Sequence, residues 1–185
     1  MHLGFSLATA AAVFLLMGTQ GKADDTNKYS ASYSGFQEVG GLNAETGAIF
    51  SPAQGNLTLN VDKGNQFINF QLTYSGFTNN VTQSHIHFGK KHVPGGIMVW
   101  FCSNLSPPPA TQPPNLQPCP LTGGTVSGTI MSTNVVGPTA QNVNAGDFSA
   151  LLAALQSNTV YGNIHTTKFP AGEIRGQVQN SSSKD

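Results

Sequence analysis

The stretch Val81-Thr82-Gln83-Ser84-His85-Ile86-His87-Phe88-Gly89 reads as a β-strand and carries two histidines one position apart. Side chains along a strand point to opposite faces in turn. His85 and His87 therefore share one face, with Ile86 and Phe88 on the other. Two neutral imidazoles side by side form a chelating pair for a transition metal. A similar run, Thr159-Val160-Tyr161-Gly162-Asn163-Ile164-His165-Thr166, supplies a third histidine, His165.

The surrounding sequence is also strand-like. Gly55–Asp62 places Leu57, Leu59 and Val61 on one face, and Gln66–Tyr74 does the same with Ile68, Phe70, Leu72 and Tyr74. Asp62-Lys63-Gly64-Asn65 between them predicts a hairpin turn. Tyr29–Phe36, Thr125–Met131 and Gly172–Gln179 are further strands, and Gly96–Cys102, apolar on both faces, reads as a buried one. Asp147 can cap one short helix over Phe148–Leu155, with Phe148, Leu151, Leu152 and Leu155 as its apolar stripe. Short strands separated by Gly, Pro and Asn predict an all-β fold. The expected architecture is a β-sandwich or barrel with one short helix.

A chain of 185 residues suits one domain. Residues 3–17 are almost wholly apolar, and Gly21-Lys22-Ala23 follows with small residues, the pattern of a secretory signal peptide over residues 1–23. The expected organisation is that leader, one β-domain over 24–180 with a proline-rich loop at 103–122, and a disordered tail at 181–185. Secretion or periplasmic export follows, and no later segment is long and apolar enough to span a bilayer. Of eight basic and eight acidic residues, loss of Lys22 leaves seven against eight. Without a basic excess, nucleic acid is excluded as a partner. Charged residues make up 9% of the chain, far below the ~25% of ordinary soluble domains. Asn, Gln, Ser and Thr supply the polarity instead, which favours strands and turns over exposed helices.

Cys102 and Cys119 are the only cysteines. In an oxidising compartment they allow one disulfide, closing the proline-rich loop and stabilising by about 3 kcal/mol in the chain-entropy model.

Four blocks resemble the CHRD domain, a module named after chordin and also found in bacterial secreted proteins. They are Ser34-Gly35-Phe36-Gln37-Glu38-Val39; Ser84-His85-Ile86-His87-Phe88-Gly89; Leu155 with Val160-Tyr161-Gly162-Asn163-Ile164-His165-Thr166; and Phe169-Pro170-Ala171-Gly172-Glu173-Ile174-Arg175-Gly176-Gln177. The resemblance spans nearly the whole chain after the leader and implies a secreted, all-β domain with no shared assigned activity. The chain departs from the family at Gly162, where Val is frequent, and in its proline and cysteine insert. His-x-His followed by Phe-Gly is also similar to the copper strand of copper–zinc superoxide dismutase, a Greek-key sandwich that takes a further ligand from a late strand. The resemblance implies an all-β Greek-key β-sandwich, superoxide-dismutase-like or immunoglobulin-like, with one short helix. By that likeness His85 and His87 match the strand pair and His165 the late ligand. Here Lys90-Lys91-His92-Val93-Pro94 has no carboxylate to build a zinc half-site.

Two readings of the histidines stand side by side. In one, His85, His87 and His165 hold copper, with zinc as the alternative, leaving an open position for water. His92 is then a possible fourth ligand, and Glu173 and Arg175, sharing a strand face, orient an imidazole or steer an anion. Weak copper redox activity is the chemistry such a site could support. In the other, the imidazoles are hydrogen-bonded in a polar end of the sandwich and Glu173 and Arg175 form a cross-strand ion pair. The chain is then a non-catalytic extracellular module for a protein or glycan. No Gly-x-Ser-x-Gly elbow, phosphate loop or His-Glu-x-x-His is present, and the carboxylates are scattered.

Overall fold

The computed structural model describes Met1 and residues 27–39, 47–62 and 64–181. Apart from Met1, the expected leader at 1–23 lies outside the described residues, as do Lys63 of the hairpin turn and 182–185 of the tail. Among the described residues there are nine strands: β1 (Lys28–Ser34), β2 (Gln54–Val61), β3 (Ile68–Ser75), β4 (Val81–Phe88), β5 (Gly96–Ser103), β6 (Gly124–Ile130), β7 (Val160–Thr166), β8 (Ile174–Gln177) and β9 (Gln179–Asn180). The helix, α1, spans Phe148–Gln156.

The alternating faces pair as their sequence dictates. Leu57 lies opposite Leu72, Leu59 opposite Phe70 and Val61 opposite Ile68, and all six side chains are buried. Such cross-strand pairs are what stabilise a sheet. The turn between β2 and β3 is held by Asp62, whose carboxylate accepts from the backbone N–H groups of Gly64, Gln66 and Phe67. Asp147 caps α1 by accepting from Ala150 N at 3.0 Å, and Leu151, Ala154 and Leu155 face the core.

The sheet runs in the order β5-β4-β7-β8-β1-β2-β3-β6, with β9 beside β1, and every pairing is antiparallel. It curls until its two ends approach. Phe70 of β3 and Phe101 of β5 meet at 4.6 Å between ring centroids. The Gln117 side chain donates to Phe101 O of β5 and to Ser127 O of β6, each at 3.2 Å. Farther along β5, Met98 O accepts from Val136 N at 2.9 Å. Around this seam the order β3-β6-β5-β4 is that of a Greek key. The fold is thus all-β and sandwich-like, nearly closed into a barrel, with one helix. The disulfide Cys102–Cys119 ties the end of β5 to the proline-rich loop.

Two boundaries depart from the sequence expectation. β1 ends at Ser34, and Gly35–Gln37 turns as a 3-10 helix. Gly35 O accepts from Ile49 N at 2.8 Å, and a Cβ on Gly35 would lie 2.2 Å from Ile49 O, so only glycine permits this approach. The turn sends Phe36 outward and buries Glu38. The last strand run breaks at Val178 into β8 and β9, where Val178 N donates to Val160 O.

Register fixes which side chains meet on the face opposite the core. Ile86, Ile164 and Ile174 belong to the hydrophobic core. By alternation the other face of β4, β7 and β8 carries His85, His87, Tyr161, Asn163, His165, Arg175 and Gln177. Across it His87 lies opposite Tyr161, His85 opposite Asn163, Gln83 opposite His165 and Asn163 opposite Arg175.

Candidate metal centre

His85, His87 and His165 each offer one ring nitrogen, and these atoms lie within 4.8 Å of one another. Two ligands held ~2 Å from one ion are at most ~4 Å apart, so the widest pair must draw in by about 1 Å to share a centre. The ring centroids are 5.4 Å apart for His85 and His87 and 5.0 Å for His85 and His165. All three residues are buried, His85 with 1% of its surface exposed.

Hydrogen bonds assign the protons on two rings. His87 Nδ1 lies 2.9 Å from Gly95 O, and His165 Nδ1 lies 2.9 Å from Pro170 O. A carbonyl only accepts, so each Nδ1 carries the proton and each Nε2 keeps its lone pair. His165 Nε2 is buried and has no hydrogen-bond partner, and neither ring nitrogen of His85 has one. An unsatisfied buried polar atom costs about 1–3 kcal/mol.

The site is electrostatically set for neutral imidazoles. Burial pulls His87 and His165 down to about 4. It holds His85 well below the ordinary histidine range, and His165 and His87 beside it push the same way. Neutral rings are the form that binds a metal.

The walls are aromatic. Trp100 meets His85 edge-on at 4.1 Å between centroids, and its Nε1 is buried without a partner. Tyr161 stacks on His87, and Arg175 sits over the Tyr161 ring. Arg175 also donates to Lys90 O at 3.0 Å and Val93 O at 2.9 Å, fastening the loop that presents Gly95 O to His87. Tyr161 Oη accepts from Gly95 N at 3.1 Å. Asn163, opposite His85, reaches His87 Nε2 through its side-chain oxygen at 3.1 Å.

The other residues singled out in the sequence fall differently. His92 is exposed on the Lys90–Val93 turn at φ 61° and is not a member of the three-histidine group. Glu173 accepts from Ser51 Oγ at 2.6 Å and Thr166 Oγ1 at 2.7 Å. Its carboxylate thus anchors the Ser51 segment to β7, while Arg175 stacks on Tyr161. Trp100, Tyr161 and Asn163 did not emerge from the sequence as site residues. The available signal was their parity with the histidines: Tyr161 and Asn163 fall four and two positions before His165 on one strand.

These features describe a small antiparallel β-domain with a buried histidine cluster walled by aromatic rings. The chain belongs to the CHRD family: the model of the CHRD domain matches residues 29–178, from β1 to the residue before β9. CHRD domains are typically extracellular. Comparison with curated proteins and with solved structures gave no match.

Proposed function

We propose that this chain is an exported CHRD module that binds a transition metal through His85, His87 and His165, copper in preference to zinc. The observation that carries this reading is the set of buried ring nitrogens without partners, drawn from strands β4 and β7, far apart in sequence. One cation would take the lone pair of a His85 ring nitrogen and that of His165 Nε2 together. Three nitrogen ligands favour Cu(II) over Zn(II) by the Irving–Williams order. Arg175 acts through Tyr161 and the Lys90–Gly95 loop to hold the His87 ring in its tautomer. The disulfide supports an oxidising compartment. Redox activity, if the ion is copper, would be weak, because burial of all three rings restricts access to the open position.

The test is titration of the metal-free protein with Cu(II) and Zn(II), repeated with His87→Ala. One equivalent should bind to the wild type and the variant should lose affinity. Equal affinity in the two proteins would remove the proposal.

One observation favours the non-catalytic alternative, a module for an extracellular protein or glycan. Phe36 and Phe50 are 65% and 91% exposed and pair at 6.3 Å between centroids. Glycan-array binding abolished by Phe36→Ala with Phe50→Ala, in a protein that takes up no metal, would establish this second reading over the first.

A further inference from the structure

Asn163 is buried, 3% exposed, in the row between His85 and Arg175. Its Oδ1 stands 3.1 Å from His87 Nε2. The proton of that ring is committed to Gly95 O, so Nε2 holds a lone pair. Two lone-pair carriers at this separation repel one another. The contact becomes favourable in two ways: a cation lies between them, or the amide turns over and presents its NH2 to Nε2. Asn163 has both options, because its terminal torsion is broad and nearly two-fold and the turn moves no backbone.

The spacing matches coordination. Ligands bound tetrahedrally at ~2.0–2.1 Å stand about 3.3 Å from each other. The amide also borders His85 closely enough to favour its protonated form, although neither His85 ring nitrogen makes a hydrogen bond of good geometry. An oxygen thus sits among the nitrogens that an ion would use.

We propose that Asn163 is the fourth donor of this centre. In the metal-free protein its NH2 satisfies His87 Nε2, and on metal entry the amide turns to give Oδ1 to the ion. This rests on the metal-binding reading above. It makes the coordination set three imidazole nitrogens and one neutral carboxamide oxygen. The open position expected from the sequence is then closed by protein, and the ion taken is one that accepts mixed nitrogen and oxygen donors, Cu(II) or Zn(II) rather than Cu(I).

The experiment uses the full chain, with Cu(II) and Zn(II) ions as probes. Asn163→Leu should weaken Cu(II) and Zn(II) binding by about ten-fold or more, and Asn163→Asp, with an anionic oxygen in place, should tighten it by about as much at pH 7. The parallel hyperfine splitting in the Cu(II) electron paramagnetic resonance spectrum should differ between wild type and Asn163→Leu. The wild type gives a reading that needs no variant: the side-chain 13Cγ resonance of Asn163 should move on addition of one equivalent of Zn(II). A wild type that binds metal while this resonance stays fixed overturns the fourth donor and spares the three-histidine site. Superimposable spectra and equal affinity for Asn163→Leu do the same. A wild type that binds no metal overturns both.

Discussion

Tyr161 lies flat on His87, the ring planes 1° apart and the centroids 4.7 Å apart. The guanidinium carbon of Arg175 sits 3.3 Å from the centroid of the same tyrosine ring. A planar cation, a phenol and an imidazole thus form one stack, and the cation also clamps the loop that fixes the imidazole's proton.

Arg175→Lys should therefore behave as a damaging change despite keeping the charge. A lysine ammonium cannot stack as a plane on Tyr161 while its one nitrogen replaces Arg175 Nη2 at the Lys90 and Val93 carbonyls. We expect a loss of about 2–3 kcal/mol in urea unfolding. Stability within a few tenths of the wild type would show that the stack does not anchor the loop.

Metal should stabilise the fold by mass action. At a free Cu(II) concentration one hundred times the dissociation constant, the gain is about 2.7 kcal/mol. In a domain of this size that raises Tm by roughly 5–10 °C. The variant His85→Ala with His165→Ala should show no such rise in the same thermal scan.

Acid should weaken the metal-free protein earlier than its carboxylates alone would dictate. His87 and His165 titrate at about 4 when folded, against 6.5 as free side chains, because burial disfavours their charged forms. The unfolded chain takes up protons that the folded chain refuses. Their contribution is complete above pH 6.5 and is lost as pH falls towards 4, by about 3 kcal/mol per ring. Urea midpoints that stay level between pH 6.5 and 4.5 would contradict this.

Glu38 runs the other way. Burial raises its carboxyl from 4.5 to about 7, against smaller opposing effects of the Val39 N–H and the Arg175 charge. The folded state prefers it protonated, so stability declines as pH rises from 4.5 through 7. Glu38→Gln should be more stable than wild type at pH 8, by up to about 3 kcal/mol, and the advantage should vanish by pH 4.5. Unfolding curves at the two pH values check the crossover.

Gly162 makes room for Tyr33. A Cβ at Gly162 would lie 1.6 Å from the Tyr33 hydroxyl, which is itself buried without a hydrogen-bond partner. Tyr33→Phe should be neutral or stabilising, since it removes an unsatisfied polar atom. Gly162→Ala should destabilise by several kcal/mol in the wild type and by less in the Tyr33→Phe background. Equal costs in both backgrounds would contradict the contact.

Strand faces were legible wherever one side is wet. Leu57, Leu59 and Val61, and Ile68, Phe70 and Leu72, announced their inward side because Thr58, Asn60, Asn69 and Gln71 between them face solvent. The cap at Asp147 was equally plain. β7 was harder, because all its residues from Val160 to Thr166 are buried and periodicity cannot separate a core face from a site face. His-x-His marked the centre, but pairing across β4, β7 and β8 was needed to bring Asn163 and Arg175 to it. Glu38 gave no sign of burial, since its position depends on the Gly35 turn against Ile49. Glu173 falls just before β8 and Arg175 within it, and their partners lie on other segments that no local pattern names.

The seam between β5 and β6 has a bearing on how the molecule behaves among its own copies. A sheet that stops leaves a row of bare amides and carbonyls onto which a stranger's strand can add. Here the Gln117 amide bridges both rims and the Val135–Val136 segment covers the β5 rim at Met98. Self-templating growth finds no ready foothold along that line, and crowding alone gives the shell no route from monomer to fibre there.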